Sequence, residues 1–260
     1  MPFGSLIKLY KMQNKIKKKF FTVGGWITIG SPIIAEIFSR AGFDWVVVDL
    51  EHSVIGLEMA GDLIRTIDLC GATPLVRLTS NNPDQIKRVM DAGAQGIIVP
   101  NVNTKEIAIQ AVAATRYAPL GFRGVGLGRA QGFGVKFAEY FEWQKTAPIV
   151  IAMIEHKDAL TNIDEILNVP GLDGFLVGPY DLSASLGVPG DFKNPIFTNA
   201  LNGILESGLR KKCIVGIHIV EPDLKQLEDK KLKGYNFIAY GVDIRMLDIS
   251  ARVGVELTKG

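Results

Sequence analysis

Cysteine is scarce in this chain: Cys70 and Cys213 are the two among 260 residues. They lie far apart and lack Cys-x-x-Cys spacing, which excludes a disulfide-dense secreted scaffold and a cysteine-based zinc site. Both read as small core residues, and the expected compartment is a reducing cytoplasm. Charge of one sign is also lacking. The formal net charge is +2, far from the strongly basic face that nucleic acid requires. No apolar stretch approaches the ~20 residues of a membrane span. No Pro/Ser-rich linker or shift of composition divides the chain, so one domain over residues 1–260 is expected. The glycine-rich stretch Gly124-Val125-Gly126-Leu127-Gly128 runs into Arg129 without completing G-x-G-x-x-G. It does not follow a first strand, and a P-loop is absent, so no nucleotide fingerprint is present. Lysine is missing from every predicted strand, whereas imine chemistry needs a desolvated lysine.

The one local excess of charge is Lys8, Lys11, Lys15, Lys17, Lys18 and Lys19. A basic run of this kind reads as a solvated helix or tail over residues 1–19. It does not read as a targeting peptide, because no apolar segment precedes a cleavage-like site.

Apolar runs are abundant, in keeping with 47% hydrophobic residues. Several end in a charged or catalytic-type residue. Val46-Val47-Val48 runs into Asp49-Leu50-Glu51-His52, and Pro74-Leu75-Val76 ends at Arg77. Ile149 to Ile154 ends at Glu155, and Phe175-Leu176-Val177 runs into Gly178-Pro179-Tyr180-Asp181. Continuous apolar runs mark parallel strands buried on both faces. The predicted strands are 22–29, 45–49, 74–77, 96–99, 149–154, 174–177, 214–219 and 237–240. Helices are expected at 32–41, 57–70, 83–92, 104–115, 159–168, 181–186, 195–212, 222–233 and 245–257. Residues 116–148 break the rhythm with the glycine-rich loop and an aromatic segment at 137–143. About eight β/α units in a chain of this length predict a (β/α)8 TIM barrel with an extra N-terminal helix.

In such a barrel the chemistry lies past the C-terminal ends of the strands. Glu155 and Asp181 follow adjacent strands. Paired carboxylates there need a proton or cation between them, and oxygen ligands suit Mg or Mn; alternatively each caps a helix. His52, three residues past Asp49, reads either as an oriented base or as a structural histidine. Glu51 between them could point away into a surface salt bridge. Arg77 reads either as a partner of Asp49 or Glu51 or as a ligand for a substrate oxygen. Arg123 sits on a loop that could cover the site or be a plain turn. His218, in strand seven, reads as a core histidine, with the barrel mouth as the alternative.

The segments Phe43-Asp44-Trp45 through Asp49-Leu50-Glu51-His52, Arg123-Gly124-Val125-Gly126 and Gly178-Pro179-Tyr180-Asp181-Leu182-Ser183 resemble the HpcH/HpaI aldolases. These are class II, metal-dependent pyruvate aldolases of the phosphoenolpyruvate/pyruvate barrel superfamily. The resemblance spans roughly residues 20–255. It implies reversible cleavage of a 4-hydroxy-2-oxo acid, such as a 2-keto-3-deoxy sugar acid or a dicarboxylic acid, to pyruvate and an aldehyde. It also implies a divalent metal (Mg, Mn or Co) on Glu155 and Asp181, and His52 as the base with Asp49. Arg77 would face the enolate oxygen. The substrate contacts would come from Arg77, Arg123 and the first turn at Tyr180 and Asp181. A homo-oligomer, trimer or hexamer, is implied as well. Met153 and Tyr180 depart from the pattern, in which Gln and a small residue are common. An acyl-CoA ester lyase and a non-catalytic metal- or 2-oxo-acid-binding barrel are the alternatives.

Overall fold

The computed structural model describes residues 15–259. The first half of the chain alternates β1 (Thr22–Ile27), α1 (Pro32–Arg40), β2 (Trp45–Asp49), α2 (Leu57–Leu69), β3 (Thr73–Arg77), α3 (Pro83–Ala92), β4 (Gly96–Val99) and α4 (Lys105–Thr115). A long connection follows, holding a short 3-10 turn and α5 (Phe137–Trp143). The second half runs β5 (Ile149–Ile154), α6 (Asp158–Leu167), β6 (Gly174–Val177), α7 (Pro179–Ser185) and α8 (Pro195–Lys211). It closes with β7 (Ile214–Ile219), α9 (Leu224–Leu232), β8 (Phe237–Tyr240) and α10 (Asp243–Lys259). All eight strands are parallel, each pairs with its sequence neighbours, and β8 returns to β1, which closes the barrel.

Two apolar clusters hold the barrel. The outward side chains of the strands, such as Val46, Val48, Val76, Ile97 and Val215, pack against the helices. The inward ones, among them Trp45, Val47, Leu75, Ile98, Ile151, Leu176 and Phe237, fill the interior. Burial on both faces is why the strands read as unbroken apolar runs. Each fully buried side chain of this kind contributes roughly 1.5–3 kcal/mol. At the base of the interior Trp45 lies flat on Phe237, with ring centroids 3.9 Å apart. Gly24 makes this possible, since a Cβ there would lie 2.0 Å from the Trp45 ring.

The N-terminal end of the barrel is pinned by a repeated device. The residue before β2, β6 and β8 accepts a backbone N–H from the second residue of the neighbouring strand. Asp44 takes Val23 N–H at 2.9 Å, Asp173 takes Val150 N–H at 2.8 Å and Asn236 takes Val215 N–H at 2.9 Å. The two acids among these three acceptors also receive lysines that were expected to be solvated. Lys15 pairs with Asp44 at 2.6 Å, and Lys17 pairs with Asp173 at 2.7 Å. Ile16 between them is buried in the inner cluster. Residues 15–17 therefore seal the bottom of the barrel; the remainder of the expected basic tail, residues 1–14, lies outside the described residues. No helix among the described residues is long and apolar enough to cross a membrane. Cys70 and Cys213 are free thiols.

Candidate active site

The opposite end of the barrel gathers charge. Asp49 and Arg77 end β2 and β3 and are paired in the strand register. Sheet pairing alone thus sets them side by side on the inner face. Arg77 Nε donates to Asp49 Oδ1 at 2.8 Å, and Nη2 donates to Oδ2, giving a bidentate buried pair. Trp26 Nε1 donates to Asp49 Oδ2 at 3.1 Å. The amides of Glu51 and His52 donate to Oδ1 at 2.9 and 3.3 Å. Burial alone would raise the Asp49 carboxyl, but the hydrogen bonds and charge of Arg77, with the Trp26 and Glu51 N–H groups, hold it below its usual range.

Glu51 turns inward and not into a surface pair. Its Oε2 stands 3.1 Å from Arg77 Nη1 as an ion pair without hydrogen-bond alignment, and this buried oxygen has no hydrogen bond. Glu155, at the end of β5, is buried and accepts Asn101 N–H at 2.7 Å. Asn101 achieves this with a left-handed backbone, φ +53°. Desolvation pushes the Glu155 carboxyl up to about 7 against that hydrogen bond; the charges of Glu51 and Asp181 push the same way, and Arg77 opposes. Glu51 is raised too, by burial first and then by Asp49 and Asp181, against Arg77. Asp181 belongs to this electrostatic cluster. It is the third residue of α7, after Gly178 and Pro179, so it lies inside the first turn and does not cap it. Gly178 allows a close approach: a Cβ there would lie 3.0 Å from Glu155 Oε2 and 3.1 Å from Met153 Cε, tight enough that these side chains would have to shift.

Among the described residues no three His, Cys, Asp or Glu side chains close around one point as a complete metal cage. The donor chemistry nonetheless fits a hard divalent cation. The carboxylates of Glu155 and Glu51 are buried and half-buried; Glu155 feels the charge of Glu51, both feel that of the exposed Asp181, and Arg77 is the cation that offsets the charge on both glutamates. Oxygen donors of this kind suit Mg or Mn.

The remaining expected residues differ in fate. His52 is exposed on the β2–α2 connection, and it meets Asp49 through its amide. The Tyr180 ring is half-exposed and packs edge-on against Phe192, centroids 5.0 Å apart. Arg123 departs from the expectation that it reaches the substrate. Its side chain is buried, with Nη2 on Asp91 at 2.5 Å and Nη1 on the Tyr140 hydroxyl at 2.8 Å, beside the rings of Tyr117 and Tyr140. A desolvated guanidinium needs a carboxylate, and Asp91 on α3 supplies it, so Arg123 clamps the long connection to the outer helices. Trp26, Asn101 and Gly178 went unread as site residues. Nothing local in the sequence marks Trp26 or Asn101 as part of the site.

The HpcH/HpaI aldolase/citrate lyase family model matches residues 23–248. A 2-keto-3-deoxy-L-rhamnonate aldolase of Escherichia coli K12 is 34% identical over 237 residues, covering 89% of this chain and 86% of the relative. A 4-hydroxy-2-oxo-heptane-1,7-dioate aldolase of Salmonella paratyphi C is 35% identical over 242 residues, covering 90% of each. A crystal structure of an HpcH/HpaI aldolase/citrate lyase family protein from Burkholderia cenocepacia superposes with a TM-score of 0.90 at 29% identity, covering 96% of this chain and 99% of the other.

Proposed function

This chain belongs to the HpcH/HpaI aldolase/citrate lyase family and is a class II aldolase, a carbon–carbon lyase, and from that premise we propose that it reversibly cleaves a 4-hydroxy-2-oxo acid to pyruvate and an aldehyde. The observation that carries this reading is the concentration of acids at the barrel mouth, where Glu51 pairs with Arg77 and both Glu51 and Glu155 feel the charge of Asp181. Glu155 and Asp181 are the residues that would hold a divalent cation, Mg, Mn or Co. Such an ion, when bound, supplies Lewis acidity to the carboxylate and keto oxygens of a 2-oxo acid.

The chain's own residues do the rest. Arg77, fixed by Asp49 and Trp26, offers a preorganised cation where the keto oxygen gains negative charge; one such donor is typically worth about 10²–10³ in rate. His52 takes the proton of the C4 hydroxyl. The C3–C4 electrons pass into the keto group, the aldehyde departs, and the pyruvate enolate left behind is protonated at C3. A general base of this kind contributes about 10²–10⁴-fold. The first-turn amides at Tyr180 and Asp181, left without intrahelical acceptors at the start of α7, receive the pyruvate carboxylate. Exposed Leu120, Phe122, Leu127, Phe133 and Val135 on the long connection support association of copies into a homo-oligomer.

The test is pyruvate release from 4-hydroxy-2-oxo acids of varied tail, sugar-like and dicarboxylic, with Mg, Mn or Co. His52→Ala should lose cleavage by about 10²–10⁴-fold with the fold intact. No pyruvate from any of these acids would rule out the reading, and full turnover by the variant would rule out His52 as base.

A further inference from the structure

One titratable group in the barrel interior has no part in the steps above. His218, on β7, is buried, and its ring stacks on Trp26 with centroids 4.5 Å apart and planes inclined by 28°. Its Nε2 lies 3.4 Å from the Gly241 carbonyl oxygen. That oxygen can only accept, so Nε2 carries the proton. Trp26 in turn donates to Asp49, and Asp49 holds Arg77 by two hydrogen bonds. The Arg77 guanidinium lies 5.1 Å from the centre of the same Trp26 ring. A continuous chain of contacts therefore runs from His218 through Trp26 and Asp49 to Arg77.

The geometry points to His218 as a positioning residue for the aldolase reaction: its imidazole fixes the plane of Trp26, and through Trp26 and Asp49 the direction in which Arg77 meets the substrate. The inference rests on the reading given under Proposed function. Its logic is packing. The β7 residue before His218 on the inner face is Gly216, and the β8 partner of His218 is Ala239. With such small neighbours the imidazole supplies the bulk on this side of the interior at that level. Without it the indole gains room to turn, and its 3.1 Å bond to Asp49 depends on the ring plane. The imidazole stays neutral in this setting. Burial pushes it down to about 4, the Arg77 charge acts in the same direction, and Gly241 and Asp49 oppose. A ring that keeps one charge state across the neutral range can orient its neighbours throughout that range.

Solvent exchange of the pyruvate methyl protons in D2O, with Mn or Mg at saturating pyruvate, reads enolate formation directly. His218→Leu should slow exchange about tenfold and leave the pyruvate KM within about twofold, since the loss lies in the reacting state. His218→Phe keeps an aromatic stack and should recover to within about threefold of wild type, whereas His218→Gln should not. In a Trp26→Phe background, where the indole N–H is gone, adding His218→Leu should cost no more than about twofold, because residues acting through one another are not additive. An amide NMR spectrum supplies a readout apart from activity: the Trp26 indole N–H signal, assigned by its loss in Trp26→Phe, should move in His218→Leu. Unchanged exchange in folded His218→Leu, an equal loss in both backgrounds, or an unmoved indole signal overturns the inference. If His218→Leu does not fold, equal rates for His218→Phe and His218→Gln overturn it. Absence of exchange in the wild-type protein overturns the aldolase reading itself, and the positioning role with it.

Discussion

Replacing Glu155 by Gln should stabilise the metal-free protein at alkaline pH. The carboxyl is buried beside Glu51 and Asp181, and desolvation lifts it from 4.5 to about 7. Between those pH values the folded state holds a proton that the unfolded chain has released. Stability therefore falls as pH rises through this window and levels off above about 7. At about 1.4 kcal/mol per pH unit the penalty at pH 8 amounts to about 3 kcal/mol. Gln keeps an oxygen for the Asn101 N–H and carries no charge. In EDTA, urea unfolding should then find wild type and Glu155→Gln alike near pH 4.5, with the variant ahead by up to about 3 kcal/mol at pH 8. Added Mn or Mg should close that gap by stabilising the wild type alone, since a cation that binds only the folded state stabilises it by mass action. Parallel pH profiles for the two proteins in EDTA would refute the reasoning, because Glu155 would then carry no desolvation penalty.

Arg77→Met leaves Asp49 and Glu51 buried without their cation and should cost about 3–5 kcal/mol at pH 8. Because Arg77 holds the Asp49 carboxyl below 3.8, that stabilisation is present above this value and disappears as pH falls below it, so the urea-midpoint difference should shrink on acidification; a pH-independent difference would contradict the pairing. Gly178→Ala drives a methyl to 3.0 Å from Glu155 Oε2, an overpacking cost of about 1–3 kcal/mol. Mn affinity and pyruvate release should both drop with far-UV dichroism preserved, and wild-type Mn affinity in the variant would show that the contact does not constrain Glu155.

The barrel was legible in the chain because each strand is buried on both faces and so writes itself as an apolar run. Asp49, Arg77 and Glu155 stood out because they interrupt or end such runs at the barrel mouth, where strand order brings them together. Boundaries slipped where a proline acts from inside a helix. Pro179 starts α7 two residues before Asp181, so Asp181 sits in the first turn and not at its cap. What stayed hidden depends on contacts remote in sequence. Arg123 finds Asp91 and Tyr140, and His218 finds Trp26 over the intervening strand β8. The lysines at 15 and 17 look like a wet basic run until the strand-leading acids Asp44 and Asp173 are seen beside them. Asn101 contributes through a left-handed backbone, which its sequence neighbourhood does not announce.

The most direct test of the central claim is NMR of pyruvate in D2O with the wild-type protein, with Mn or Mg and again after EDTA. A site built around Glu155, Asp181 and Arg77 to stabilise a pyruvate enolate should wash deuterium into the methyl group in the presence of the metal and stop when it is chelated. A folded protein, shown to bind the metal, that leaves the methyl protons untouched would contradict it.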